Sequence, residues 1–213
     1  MRIGVFDSGV GGKAVAEKLA ELLPHAEILS VNDHEHVPYG SRSNEEIIAL
    51  TDVAIQPLIK GNCDAIVIAC NTATTVAIRY LRDTYPSTLF IGIEPMLKTA
   101  ATMTKTGKVA VLATPSTLKS NRYAELKQTW AKNITVFEPD CSQWASLIEA
   151  NASDLIDIEM VIQPLIESDV DVIVLGCTHY HSIKQRIVEI TGGKITVLEP
   201  SDAIAHRISS LVR

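Results

Sequence analysis

The stretch Ile55-Gln56-Pro57-Leu58-Ile59 recurs as Ile162-Gln163-Pro164-Leu165-Ile166, 107 residues later. Continuing without a gap, Asp64, Ile66, Val67 and Cys70 meet Asp171, Ile173, Val174 and Cys177, so nine of sixteen positions from 55 to 70 agree. The offset is half the length of the 213-residue chain, and gapless agreement of this extent marks an internal duplication. The same offset sets residues 2–7 opposite 109–114 and Asp33 opposite Asp140. Near the end it slips by two, where Ile93-Glu94-Pro95 meets Leu198-Glu199-Pro200. No Pro/Gly/Ser-rich linker separates the halves, so they are expected to pack directly together.

Each half alternates short apolar runs with helix-length segments. The expected strands cover 2–6, 27–31, 65–69 and 89–93, then 109–113, 134–137, 172–176 and 195–198. Several are unbroken runs of Val and Ile, the pattern of parallel strands buried on both faces. One helix is expected to open at Ser43, where Glu46 three residues on completes a capping-box spacing. The expectation is an α/β protein of two pseudo-symmetric domains, each with a parallel sheet and helical layers.

Composition bounds the function. A hydrophobic fraction of 46% and a charged fraction of 21% exclude a disordered chain or a disulfide-stapled scaffold. The net charge is −6 and no Lys/Arg cluster stands out, so nucleic acid is not an expected partner. No apolar run reaches the ~18 residues of a membrane helix. The apolar start is too short for a signal peptide. A cytoplasmic location is expected, where four cysteines stay reduced. None of them forms a CxxC pair, which argues against a zinc ribbon or a thioredoxin-type site.

Ligand sites of parallel α/β sheets lie at the carboxyl ends of the strands. The residues expected there are Asp7-Ser8-Gly9-Val10-Gly11-Gly12, Asn32-Asp33 followed by Pro38-Tyr39-Gly40, and Cys70-Asn71-Thr72. In the second half they are Thr114, Asp140-Cys141 and Cys177-Thr178-His179-Tyr180. Cys70 and Cys177 are equivalent under the repeat. If the halves face one cleft, each presents a thiol to it. Two opposed groups of one kind suit racemisation or epimerisation, in which one thiolate removes a proton and the other thiol returns one to the opposite face. A thiol with its ordinary pKa of about 8.5 needs a neighbour to switch forms near neutral pH. Asp7 and His179 are the candidates.

Cys63 and Cys141 read as small core residues. Cys177, His179 and His181 alternate in a way that could hold metal, but the sequence marks no further ligands. The glycine turn at 9–12 departs from the dinucleotide fingerprint, and Asp7 would repel phosphate. His25, His34, His36 and His206 read as surface residues for which the sequence names no partner.

Four motifs carry a resemblance. Phe6-Asp7-Ser8-Gly9-Val10-Gly11-Gly12, Val37-Pro38-Tyr39-Gly40, Ala69-Cys70-Asn71-Thr72-Ala73 and Gly176-Cys177-Thr178-His179-Tyr180 resemble those of the glutamate racemases, in the aspartate/glutamate racemase superfamily. The resemblance covers essentially the whole chain, with the motifs in family order. It implies two α/β domains with the active site in the cleft between them, a first domain of residues 1–93 plus 201–213 and a second of 94–200. It implies catalysis without cofactor or metal. Cys70 and Cys177 would be the two acid–base residues, with Asp7 assisting Cys70, and His179 and Glu149 assisting Cys177. Asp7, Ser8, Asp33, Tyr39, Gly40, Asn71, Thr72, Thr117, Thr178 and His179 would surround a small amino-acid substrate. A bacterial role in supplying D-glutamate for peptidoglycan would follow. No nucleic-acid or membrane partner is expected, and a homodimer is left open.

The chain departs from that pattern in three places. It is shorter than usual members, between Glu149 and Cys177 and near the end. Lys13 stands where leucine is usual, and His181 replaces the proline after Cys-Thr-His-Tyr. Rival expectations are a related superfamily enzyme acting on aspartate or another substrate, a non-catalytic binding homologue, and a redox sensor using the cysteine pair.

Overall fold

A computed structural model describes residues 1–211. The chain divides into two compact units. One comprises Met1–Glu94 together with the segment from Pro200 onward, and the other comprises Pro95–Glu199. Residues 212 and 213, which the expected first domain includes, lie outside the described residues.

The first unit holds a four-stranded parallel sheet in the order β2-β1-β3-β4. Its strands are β1 (Arg2–Asp7), β2 (Glu27–Asn32), β3 (Ala65–Ile68) and β4 (Phe90–Gly92). The second unit repeats this as β6-β5-β7-β8, again all parallel. Here the strands are β5 (Lys108–Ala113), β6 (Thr135–Phe137), β7 (Val172–Gly176) and β8 (Thr196–Leu198). The eight expected strands are all present. Identical strand order in the two units is the structural form of the sequence repeat.

The register refines that repeat. Ile3 pairs with Ala65, and Val109 pairs with Val172. Beside β3 and β7, which keep the 107-residue offset, β1 and β5 therefore correspond at 106 residues. The strand-one alignment expected from the sequence is off by one position. The difference matters because a one-residue slip moves every side chain to the other face. In the observed register Asp7 corresponds to Ala113, so the acidic group at the end of β1 has no counterpart in the second unit.

The central strands are buried on both faces, whereas the edge strands β2, β6 and β8 are partly open and only edge strand β4 is largely covered. β3 and β7 are buried throughout, whereas edge strand β2 alternates between part-buried and exposed residues. Unbroken apolar sequence thus marks the centre of each sheet, as the covering helices require. Those helices in the first unit are α1 (Gly11–Leu22), α2 (Asn44–Ala54), α3 (Gln56–Lys60) and α4 (Asn71–Thr84). The second unit has α5 (Leu97–Met103), α6 (Pro115–Lys119), α7 (Asn121–Trp130), α8 (Trp144–Glu149), α9 (Ile158–Glu167) and α10 (Lys184–Ile190). The chain then returns to the first unit with α11 (Ser201–Leu211).

One face of the first sheet, with Ile3, Val5 and Val67, packs on Val15 and Leu19 of α1 and on Ile204 and Ile208 of α11. Its other face, with Phe6, Ile66 and Ile68, packs on Ile47, Leu58, Ala77 and Leu81. The second unit is built likewise. Val109, Val111 and Val174 meet Leu97, Tyr123 and Leu126, while Leu112, Ile173 and Leu175 meet Ile148, Ile162, Leu165 and Ile187. The capping box at α2 is formed: Glu46 N–H donates to Ser43 Oγ at 3.2 Å, and Ser43 N–H donates to Glu46 Oε2 at 2.9 Å. Among the described residues no helix is long and apolar enough to cross a membrane.

Candidate active site

In the first unit the residues expected at the site gather at the carboxyl ends of β1, β2 and β3. Cys70 follows β3 and caps α4, its Sγ accepting from the Ala73 N–H at 3.4 Å. Ser8 Oγ lies 3.2 Å from the same sulfur. Burial pushes the Cys70 thiol up to about 11, and the nearby Asp7 charge adds to the shift. The Ser8 and Ala73 hydrogen bonds act the other way. Cys70 therefore rests as a thiol near neutral pH, an acid with a proton to give.

Asp7 is buried, and its Oδ1 accepts from the Gly9 N–H at 2.7 Å. The glycine turn is shaped around that carboxylate. A Cβ on Gly12 would sit 2.2 Å from Asp7 Cβ, so only glycine lets α1 start this close to the end of β1. The turn serves Asp7 rather than a phosphate.

Asn71 occupies the first turn of α4 beside Cys70. Its side chain is buried, and neither Nδ2 nor Oδ1 has a hydrogen-bond partner among the described residues. An amide buried in this state costs roughly 1–3 kcal/mol per unmet group unless something polar meets it. With Thr72 and the helix N-terminus, it makes a place for a small ligand with both donors and acceptors. Asp33 and Tyr39 adjoin this region. The Tyr39 hydroxyl donates to Asp33 Oδ2 at 2.8 Å, and its ring shares a core cluster with Phe6 and Cys70. Burial and the bond to Asp33 push the Tyr39 phenol far upward, so it stays protonated. Gly40 follows in the short 3₁₀ turn Tyr39–Ser41.

In the second unit Cys177 follows β7 and leads into the 3₁₀ turn Thr178–Ile183. That turn brings His179 Nδ1 to 3.7 Å from Cys177 Sγ. On the ring's far side, Nε2 lies 2.6 Å from Glu149 Oε2 at the end of α8. A carboxylate can only accept, so Nε2 carries the hydrogen. This leaves Nδ1 of the neutral ring as the acceptor facing the thiol. The result is a buried line from carboxylate to imidazole to sulfur. His179 can take the Cys177 proton, and Glu149 steadies the imidazolium that forms. The Tyr180 hydroxyl donates to the Cys141 carbonyl at 2.9 Å, and its ring meets Trp144 edge-on at 5.4 Å, which fixes the turn.

Thr117 is fully buried, its Oγ1 at 3.1 Å from that of Thr114, which caps α6 just past β5. Thr178 is buried beside Cys177. The sequence marks His181 only as a titratable group near Cys177 and names no partner for His36. His181 is buried with Nδ1 at 3.9 Å from Glu199 Oε2. Its Nε2 has no partner among the described residues. His36 Nδ1 lies 2.7 Å from Asp33 Oδ1. Among the described residues no group of three or more His, Cys, Asp or Glu side chains is placed to hold a metal ion.

The Asp/Glu/Hydantoin racemase family model matches residues 3–208. This chain belongs to that family. It is 40% identical to the glutamate racemase of Aliarcobacter butzleri over 218 aligned positions, covering 99% of this chain and 84% of that one. Among solved structures it resembles Escherichia coli glutamate racemase, crystallised with L-glutamate and the activator UDP-MurNAc-Ala. That likeness has a TM-score of 0.88 at 29% identity, over 99% of this chain and 82% of the other. The Francisella tularensis glutamate racemase in complex with D-glutamate matches with a TM-score of 0.81 at 29% identity, over 99% of this chain and 80% of that one. One acid–base group on each face of a carbon is a direct way to invert it. In this family member Cys70 and Cys177 stand at corresponding strand ends, each with its own polar support.

Proposed function

We propose that this chain interconverts L- and D-glutamate by a two-thiol mechanism that needs neither cofactor nor metal. The observation that carries the reading is the correspondence of Cys70 and Cys177 after β3 and β7, with different environments around the two sulfurs. For L-glutamate, the Cys177 thiolate takes the α-proton, having passed its own proton to His179. The Cys70 thiol then delivers its proton to the other face of the planar carbanion. The products are D-glutamate, a Cys177 thiol, a Cys70 thiolate and a His179 imidazolium that still holds the proton Cys177 first released, and the reverse reaction starts from that state. A Cys70 thiol pushed up by burial and Asp7 suits the donor role in the first direction. Asp7 assists it as the neighbouring charged group.

Ser8, Asn71, Thr72, Thr117 and Thr178, with the 3₁₀ turn at Tyr39 and Gly40, would hold the substrate's ammonium and carboxylate groups. The relatives named glutamate racemase, and the two structures crystallised with L- and D-glutamate, support this substrate over aspartate. The reading includes a cytoplasmic location and supply of D-glutamate for peptidoglycan. The test is an interconversion assay across glutamate, aspartate and other amino acids, with pyridoxal phosphate removed and metals chelated. Glutamate turnover surviving both treatments is expected. Turnover of aspartate alone would replace the substrate, and activity regained only on adding metal or cofactor would overturn the mechanism.

A further inference from the structure

Asp33 is expected from the resemblance to touch the substrate, yet both its carboxylate oxygens are engaged by its own loop. His36 Nδ1 lies 2.7 Å from Oδ1, and the Tyr39 hydroxyl donates to Oδ2 at 2.8 Å. The backbone reinforces this arrangement. Asp33 N–H donates to the Asp7 carbonyl at 3.2 Å, and His36 N–H donates to the Asp33 carbonyl at 3.3 Å. From the far side of the loop, Arg42 Nε donates to the His36 carbonyl at 2.6 Å. The Tyr39 ring is buried against Phe6, with centroids 6.3 Å apart, and Phe6 precedes Asp7. The loop is thus tied to the end of β1 at Asp33 through its backbone and at Tyr39 through its ring. Charge-assisted bonds to a largely buried carboxylate are among the stronger hydrogen bonds, and two converge on Asp33 within one short loop.

We propose that His36 is a positioning residue: with Asp33 it locks the loop bearing Tyr39 and Gly40, and it contributes to substrate affinity through that loop. Asp33 then acts on Tyr39 and the backbone rather than on the substrate. The proposal rests on the racemase reading above. It goes further by placing a half-buried histidine outside the acid–base machinery in control of binding. Fixing a loop in advance acts on the ground state and the transition state alike, so it should appear in KM and not in kcat.

The experiment compares wild type with His36→Phe, which keeps an aromatic ring but no nitrogen, and His36→Gln, which restores a side-chain N–H. His36→Phe should raise KM for both glutamate enantiomers roughly five-fold or more while kcat stays within about two-fold. The isotope effect with 2-deuterated glutamate should be unchanged. His36→Gln should recover most of the affinity. Amide hydrogen exchange over residues 33–42 should quicken in His36→Phe, with the rest of the first unit unaltered. Where His36→Phe melts early, Arg42→Gln removes the tether on the His36 carbonyl, together with a 3.8 Å surface ion pair to Glu46, and carries the same expected KM rise. A fall in kcat at constant KM, unchanged kinetics in both His36→Phe and Arg42→Gln, or no rescue by glutamine would overturn the proposal. Failure of wild type itself to racemise glutamate would instead sink the functional reading on which the proposal stands.

Discussion

Two histidines in one short turn show how environment divides roles between residues of one kind. His179 lies between Glu149 and Cys177, while His181, two residues on, faces Glu199. His179→Asn should therefore lower kcat on the order of 10²-fold, as expected for a lost proton acceptor. Glu149→Gln should cost less, because Glu149 acts through His179. His181→Pro should shift the pH profile or KM and leave turnover measurable. Loss in His181→Pro equal to that in His179→Asn would reverse these roles. His181 also makes a stability prediction. Burial pushes its pKa down to about 4, against a raising effect from Glu199 and lowering effects from Lys184 and His179. The folded protein holds it neutral, and the unfolded chain protonates it at the ordinary value of about 6.5. Its stabilising share is complete above that value and is lost as pH falls from about 6.5 toward 4. Urea midpoints should thus drop between pH 7 and pH 5 by more in wild type than in His181→Phe.

Among the elements, the turn from β1 into α1 and the cap of α2 separate catalytic from merely structural demands. Gly12→Ala would drive a Cβ into Asp7, so the helix start or the carboxylate must move. Activity should fall at least ten-fold, with roughly 1–3 kcal/mol of stability lost to overpacking. Ser43→Ala removes the capping box and should cost about 1 kcal/mol while kcat and KM stay at wild-type values. A Gly12→Ala enzyme with wild-type kinetics would show that the turn does not place Asp7. Repeat-related residues also include purely structural pairs. Asp64 accepts from the Arg2 N–H at 2.7 Å, and its counterpart Asp171 accepts from the Lys105 N–H at 2.6 Å, so each ties down the chain entering a central strand. Matching positions in a duplicated chain thus mark shared architecture as readily as shared chemistry. What set the cysteines apart was their place at strand ends among small polar residues.

For the molecule as a whole, the decisive test is whether one carbon is served by two separate thiols. In deuterated water, L-glutamate should become D-glutamate carrying deuterium, while the L pool stays almost unlabelled at early times. Cys70→Ala and Cys177→Ala should each abolish racemisation. Full activity in either variant, or the original hydrogen retained in the product, would defeat the two-thiol mechanism even with the fold intact. The duplication, the eight strands, the parallel sheets and the cysteine correspondence are legible in the residues alone. Hydrophobic runs report burial on both faces, and burial is a local demand that every sheet residue states for itself. The short Asp-Ser-Gly-Val-Gly-Gly and Cys-Thr-His-Tyr motifs were legible for the same reason, since tight turns and reactive groups restrict residue type locally. Only the tertiary structure decided the register of β1 against β3, which rests on how neighbouring strands pair rather than on either strand alone. It also decided that Glu149 reaches Cys177 through His179, thirty residues away in the chain. His36 was bound to Asp33 and His181 to Glu199 in the same way, because a side chain's partner is set by the element packed beside it and leaves no trace in spacing.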